Sequence, residues 1–158
     1  MTKQKMFEQF LEENLDHAYR FAFTYTHDTA LAEDVVGDSV IKALRALHTL
    51  RDESALKSWF FRIIINTAYT RLKQEQRTVS LDALSLPEEG QEDDYSHLSF
   101  FQMIEKLDPR YRTILVLRFF EDMKLEEIAY VLDENLSTVK TRLYKAIRLL
   151  KLEMEDQP

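Results

Sequence analysis

The segment LEEIAYVLDENLSTVKTRLYKAIRLL, from Leu125 to Leu150, carries the clearest structural pattern in the chain. It reads as two helices, each with apolar residues every three or four positions, separated by the polar turn 133–135. The outer face of the second helix carries hydroxyl and cationic side chains, namely Thr138, Lys140, Thr141, Arg142, Lys145 and Arg148. Because such groups bond base edges and phosphates in the DNA major groove, the pattern predicts a helix-turn-helix.

A simpler interpretation is an antiparallel helix pair with a solvated basic face, since any such pair shows the same periodicity. Three features favour DNA recognition. Ala129 is small where the two helices must cross closely, and the break between them is a short polar turn. Residues 136–152 contain five cations and no acid. Asp133 stands where such turns often have glycine, but aspartate tolerates the left-handed backbone conformation better than most residues.

The composition favours an all-α fold. With 2 glycines and 3 prolines in 158 residues, the chain has few turn-forming residues and suits long helices better than a sheet. An apolar share of 45% allows a hydrophobic core. The chain contains no cysteine, which excludes disulfides and thiolate metal sites. Neither a long apolar run nor a leader-like N-terminus is present, so we expect a cytoplasmic protein.

The net charge of −7 is unevenly distributed. Residues 57–77 contain five cations and one acid, whereas residues 87–94 contain five acids and no cation. Since salt screens charges beyond about 8–10 Å, DNA binding depends on local charge. Two basic segments on an acidic body therefore indicate selective binding to DNA, or binding that requires a larger partner.

The helical pattern divides the chain into two small domains. Three helices are expected in residues 1–77, and the pattern fails over residues 78–97, where serine, proline, glycine and acidic residues indicate a flexible acidic linker. It resumes over residues 98–154, where Asp108 is expected to cap a helix that begins with Pro109. We therefore predict an all-α fold of two small helical domains, with the helix-turn-helix in the second.

Local patterns also predict the ends and faces of the N-terminal helices. Either Asp28 or Thr29 is expected to cap the second helix, and the third is expected from about Leu56. The apolar spacing places Leu15 of the first helix and both Ile41 and Leu44 of the second in the core.

The third helix offers a second candidate DNA surface. Arg62, Asn66, Tyr69 or Thr70, and Lys73 fall three or four positions apart and so share one side. Cations, an amide and an aromatic ring on one stripe suit a DNA strand, because cations meet phosphates and bases stack on rings. The alternative is that these side chains are merely solvated, and the residues alone leave both interpretations open.

In this order, the segments resemble the extracytoplasmic-function sigma factors, the small two-domain promoter-recognition subunits of bacterial RNA polymerase. ALAEDVVGDSVIKAL resembles their polymerase-binding helix, and SWFFRIIINTAYTRLKQ the helix that engages the melted −10 element. LDPRYRTILVLRFFEDMKLEEIAYVL and STVKTRLYKAIRLLK resemble their −35-binding domain, most like the sigma-V type.

The resemblance implies a role for each surface. It places the −35 contacts on Ser137, Thr138, Lys140, Thr141, Arg142 and Lys145, with Arg110 and Arg112 holding phosphate nearby. On the third helix, Asn66 matches an asparagine of the family that helps to read the −10 element, and the spacing adds Arg62, Tyr69 and Lys73 to the candidate −10 residues. The resemblance assigns capture of a flipped base to the loop 50–57. Polymerase binding falls on Asp34, Asp38, Lys42 and Arg45.

The resemblance also implies partners and regulation. Core RNA polymerase and promoter DNA are the expected partners, together with an anti-sigma factor, which in many family members is anchored in the membrane. A cell-envelope stress regulon is expected on the same basis. Gly37 departs from the glutamine that the family usually has in its polymerase-binding helix, and glycine costs about 1 kcal/mol in a helix interior.

Two other classes of function are alternatives. A stand-alone regulator would bind an operator through the helix-turn-helix and use the N-terminal helices to dimerise or to sense a ligand. An enzyme has little support, because the four histidines lack ligand-like spacing and the chain has no glycine-rich phosphate loop. We therefore expect no catalytic residue, no metal, no cofactor and no small-molecule substrate.

Overall fold

A computed structural model describes residues 1–78 and 95–155, with the side chains of 76–78 and 95–99 left out of the description. The helices of the N-terminal half are α1 (Lys3–Thr26), α2 (Thr29–Ala46) and α3 (Leu56–Thr78), with short 3-10 turns at Leu47–Thr49 and Glu53–Ala55. Those of the C-terminal half are α4 (Tyr95–Glu105), α5 (Pro109–Leu115), α6 (Leu125–Leu132) and α7 (Leu136–Glu155). A π-helical turn, Val116–Phe120, extends α5. The predicted all-α fold is confirmed. The core of the predicted linker, residues 79–94, lies outside the described residues.

Local chemistry sets the helix ends. The side chain of Asp28 accepts a hydrogen bond from the Leu31 amide at 2.9 Å, and that of Asp108 accepts one from the Arg110 amide at 3.0 Å, with Pro109 beginning α5. Each side chain satisfies an amide that the helix leaves without a partner. Asp133 ends α6 in the left-handed conformation with φ of 54°. These predicted caps and the predicted turn are confirmed.

Aromatic residues dominate the core of the N-terminal half. The rings of Phe7 and Phe60 meet edge to face at 5.6 Å between centroids, and Phe21 packs on Phe61 at 5.1 Å. Ile64 is fully buried beside them. Because edge-to-face and tilted ring pairs are favourable beyond the area that they bury, α1 and α3 are held firmly together.

Three predicted core positions are wrong. Leu15, Ile41 and Leu44 are exposed by 47%, 50% and 45% respectively. The apolar stripe of α2 is wider than the surface that α1 and α3 cover, so the spacing alone overestimates what is buried. Two apolar side chains therefore stand on the solvent face of the helix that resembles a polymerase-binding element.

The two halves of the chain pack against each other. Helix α1 contacts α5, and α3 contacts α6. The buried apolar side chains of both halves form one continuous cluster, which includes Phe21 and Ile64 from the first half and Ile104 and Leu117 from the second. The described helices thus form a closed arrangement, in which the surface of α3 meets the helix-turn-helix.

Candidate nucleic-acid interface

The predicted DNA face of α7 lines an open cleft. Its volume is about 380 Å³, and it is lined by Tyr111, Ser137, Thr138, Thr141, Arg142 and Lys145. Lys140 is exposed on the same helix. The opposite face of α7 buries Val139, Leu143 and Ala146, so the helix is anchored on one side and presents hydroxyls and cations on the other. This geometry suits insertion into a groove of duplex DNA.

The turn before α7 fixes the start of this face. Oδ1 of Asn135 accepts a hydrogen bond from the Thr138 amide at 2.8 Å, which caps the helix. Nη2 of Arg142 lies 3.4 Å from Oε1 of Glu134, an exposed ion pair that holds the guanidinium near the turn. The positive end of the helix dipole lies at the same place, so the first turn of α7 attracts phosphate.

Arg110 and Arg112 do not share one environment. Arg110 is exposed, and its Nε lies 3.2 Å from Oδ1 of Asp108, whose pKa is lowered by hydrogen bonds from Arg110. Arg112 is only 8% exposed, and its guanidinium donates to the carbonyl oxygens of Thr24 at 3.1 Å and Leu107 at 3.2 Å. Burial lowers the pKa of Arg112 below its usual value. The prediction that Arg112 holds phosphate is at odds with this placement, because its donors already bind carbonyls inside the fold.

The candidate −10 residues lie along α3 but not in one environment. Asn66, Tyr69 and Lys73 are exposed, and the Lys73 ammonium lies 4.6 Å from the centroid of the Tyr69 ring. Arg62 is half-buried against the helix-turn-helix, and its guanidinium lies 4.8 Å from the centroid of the Tyr130 ring. Three of the four side chains are therefore accessible, and the fourth contacts the C-terminal half.

The candidate polymerase residues lie on α2. Asp34, Lys42 and Arg45 are exposed. Asp38 forms an ion pair with Arg71 of α3, at 2.6 Å between Oδ2 and Nη2, and this pair raises the pKa of the guanidinium. A second cleft of about 250 Å³ runs between α2 and α3 and is lined by Asp38, Lys42, Thr67, Thr70, Arg71 and Gln74.

Gly37 lies in the middle of α2, and a Cβ atom built there would meet nothing within 4 Å. The fold itself therefore gives no steric reason for a glycine at this position.

A buried carboxylate that the sequence did not single out joins the two halves. The side chain of Glu121 is 1% exposed; Oε1 lies 2.8 Å from Nδ1 of His17, and Oε2 lies 3.2 Å from Nζ of Lys57. Lys57 also donates to the Glu121 carbonyl at 3.1 Å. An acid beside a cation and an imidazole is stable when buried, because each charge is compensated by its neighbours.

Residues 1–78 and 95–155 contain no helix with the length and apolarity needed to span a membrane. In the same ranges, no three His, Asp or Glu side chains are grouped so that they could hold a metal ion.

The fold and the basic face of α7 define a helical DNA-binding protein of the helix-turn-helix type. The Sigma-70 region 2 family matches residues 10–78, and the Sigma-70 region 4 family matches residues 97–150. RNA polymerase sigma factor SigV of Bacillus subtilis is 40% identical over 141 residues, which cover 88% of this chain and 85% of that protein. The RNA polymerase sigma-H factor of Pseudomonas aeruginosa is 32% identical over 77% of this chain and 72% of that protein.

Two solved structures share the fold. The sigma factor RpoE of Bartonella quintana, in complex with the anti-sigma factor NepR, is 22% identical with a TM-score of 0.78, over 96% of this chain and 98% of that chain. CnrH, in complex with the cytosolic domain of CnrY, is 22% identical with a TM-score of 0.71, over 98% of this chain and 91% of that chain.

The chain belongs to the extracytoplasmic-function sigma factors of the sigma-70 family. It therefore binds core RNA polymerase and promoter DNA and directs the initiation of transcription, without being an enzyme itself.

Proposed function

We propose that α6 and α7 read the −35 element of a promoter. Helix α7 enters the major groove with Ser137, Thr138, Lys140, Thr141, Arg142 and Lys145 toward the DNA. Hydroxyls and the guanidinium bond base edges, and the lysines hold phosphates. Arg110 adds a phosphate contact beside the groove. The observation that carries this proposal is the cleft that α7 lines with Ser137, Thr138, Thr141, Arg142 and Lys145, on a segment with five cations and no acid.

Helix α3 engages the −10 element in this proposal. Asn66 reads a base edge, while Tyr69 offers a ring for stacking, and Arg62 and Lys73 hold phosphates of the separated strand. The preceding loop, residues 50–57, binds a base that is flipped out of the stack. Its contacts with that base offset the few kcal/mol that unstacking costs.

Helix α2 binds core polymerase through Asp34, Asp38, Lys42 and Arg45. The exposed Ile41 and Leu44 lie on the same helix and add apolar area that a partner can cover. The chain then acts as two domains that bind separate promoter elements. These domains are residues 1–77 and 98–154, and residues 78–97 form the linker between them. Because polymerase sets their spacing, neither domain needs to bind DNA tightly alone.

The proposal also covers the location of the protein in the cell, the genes it serves and its regulation. We place the protein in the cytoplasm, where it serves a cell-envelope stress regulon and is held inactive by an anti-sigma factor. Support comes from the relatives: two solved structures with the same fold are complexes, one with the anti-sigma factor NepR and one with the cytosolic domain of CnrY. Envelope-damaging agents should raise transcription of its target genes, and growth in their absence should not.

A footprinting experiment tests the promoter contacts. Promoter duplex is mixed with the protein alone, with core polymerase alone and with both together. Only the combination should protect two separate segments, near −35 and −10. Tight protection of a palindromic duplex by the protein alone at physiological salt would instead support a stand-alone regulator and contradict the proposal.

A further inference from the structure

One lining residue of the α7 cleft comes from outside the recognition helix. Tyr111 belongs to α5 and is half-buried, whereas the other five lining side chains all belong to α7. The sequence pattern did not assign Tyr111 to the DNA-binding set. Its side chain lines the same cleft as the groups proposed to read the −35 element.

Two cationic side chains lie close to the ring of Tyr111. Nζ of Lys145 lies 5.6 Å from the ring centroid of Tyr111, and Cζ of Arg110 lies 5.6 Å from it. Both distances fall within the range in which an aromatic face attracts a cation. Long exposed lysine and arginine side chains otherwise sample many rotamers, and each loses that freedom when it binds a phosphate.

We propose that Tyr111 is a positioning residue for −35 recognition. Its ring holds Lys145 and Arg110 at the rim of the cleft before DNA arrives, so less side-chain entropy is lost on binding. The proposal rests on the proposed role of α7 at the −35 element and adds a residue to it. Tyr111 itself need not touch a base.

The test compares four variants as holoenzymes on one promoter duplex: Tyr111→Phe, Tyr111→Leu, Lys145→Ala and the Tyr111→Leu/Lys145→Ala pair. Phenylalanine keeps the ring and should bind like the wild type. Leucine keeps apolar volume without the ring and should weaken binding about five- to thirtyfold, from the usual strength of two exposed cation–ring contacts. The slope of log affinity against log salt should also become shallower, because fewer phosphates are neutralised.

The double variant separates positioning from general stability. If the ring acts through Lys145, removing both should weaken binding less than the two single losses combined. Wild-type affinity for Tyr111→Leu alongside a weakened Lys145→Ala would overturn the proposal and leave the −35 surface intact. Fully additive losses with an unchanged salt slope would also overturn it. No effect of Lys145→Ala would count against the proposed −35 surface itself, and the role of Tyr111 would fall with it.

Discussion

The carboxylate of Glu121 lies 2.8 Å from Nδ1 of His17, a residue 104 positions earlier in the chain. Glu121 follows the π-helical turn after α5, and His17 lies in the middle of α1. Lys57 of α3 completes the cluster at 3.2 Å. This contact ties the region 2 half to the region 4 half through a side chain that is almost fully withdrawn from water.

Replacing Glu121 should destabilise the closed fold. Glu121→Ala removes the partner of the Lys57 ammonium and the His17 imidazole and leaves a cavity, so we expect a loss of about 1–3 kcal/mol in the free energy of unfolding, reduced because His17 and Lys57 are partly exposed. Glu121→Gln keeps the volume and should lose less. Urea unfolding followed by circular dichroism measures the stability of both variants.

Glu126→Gln, at an exposed position of α6, is the matched control and should stay within about 0.5 kcal/mol of the wild type. If Glu121→Ala were as stable as the wild type, the conclusion that Glu121 stabilises the packing of the two halves would be contradicted.

His27 should make the fold less stable in mild acid. It ends α1 in the left-handed conformation, and its pKa is lowered from 6.5 by burial and by the nearby Arg112. A lowered histidine pKa means that the unfolded chain takes up the proton first. The free energy of unfolding therefore falls as the pH drops from about 6.5 through the pKa of the folded state.

The variant His27→Asn should flatten this dependence, since asparagine tolerates the left-handed conformation and does not titrate. Thermal melting at a series of pH values between about 7.5 and 5 provides the measurement. His48→Asn, which keeps His27, serves as the control and should retain the wild-type slope. An identical slope in His27→Asn would show that another group is responsible.

Gly37→Ala should stabilise the free protein. Alanine is the better helix former, and the added methyl group meets nothing within 4 Å, so a gain of about 0.5–1 kcal/mol is expected in the free energy of unfolding. Chemical denaturation checks the stability. Ala43→Gly, at a fully buried position of the same helix, is the opposite substitution and should lose at least as much. A Gly37→Ala protein less stable than the wild type would contradict the open space seen around Gly37.

Arg142→Ala should weaken transcription from a −35-dependent promoter by about tenfold, the usual range for a lost contact between arginine and a base or phosphate. Retention on immobilised core polymerase should stay at the wild-type level, because Arg142 lies on α7 and not on α2. Lys5→Ala removes one positive charge from an exposed position of α1 and should leave transcription unchanged. Full activity of Arg142→Ala on that promoter would remove this residue from the −35 surface.

The features that the sequence predicted well are local. Asp28 and Asp108 lie next to the amides that they cap, and Asp133 lies in the turn that it shapes. The outward face of α7 follows from its own spacing, because a helix places residues three and four apart on one side. Such features depend on a few neighbouring residues and need no knowledge of the rest of the fold.

The features that the sequence missed depend on distant contacts. Nothing beside Glu121 indicates that its partners come from α1 and α3, and nothing beside Arg62 indicates that it meets Tyr130. Arg112 also donates to a distant residue, Thr24, but here the sequence contains a signal. The apolar run 114–117 follows it closely, and a charged side chain that is buried beside such a run must be paired inside the fold.

Run-off transcription with purified core polymerase and fragmented genomic DNA is the decisive test of promoter recognition by this protein. With this protein added, we expect transcripts from a small set of start sites that share one −35 and one −10 sequence, and none of these transcripts with core polymerase alone. Should the reconstituted holoenzyme begin no RNA at any genomic site that core polymerase leaves silent, the protein would not direct promoter recognition.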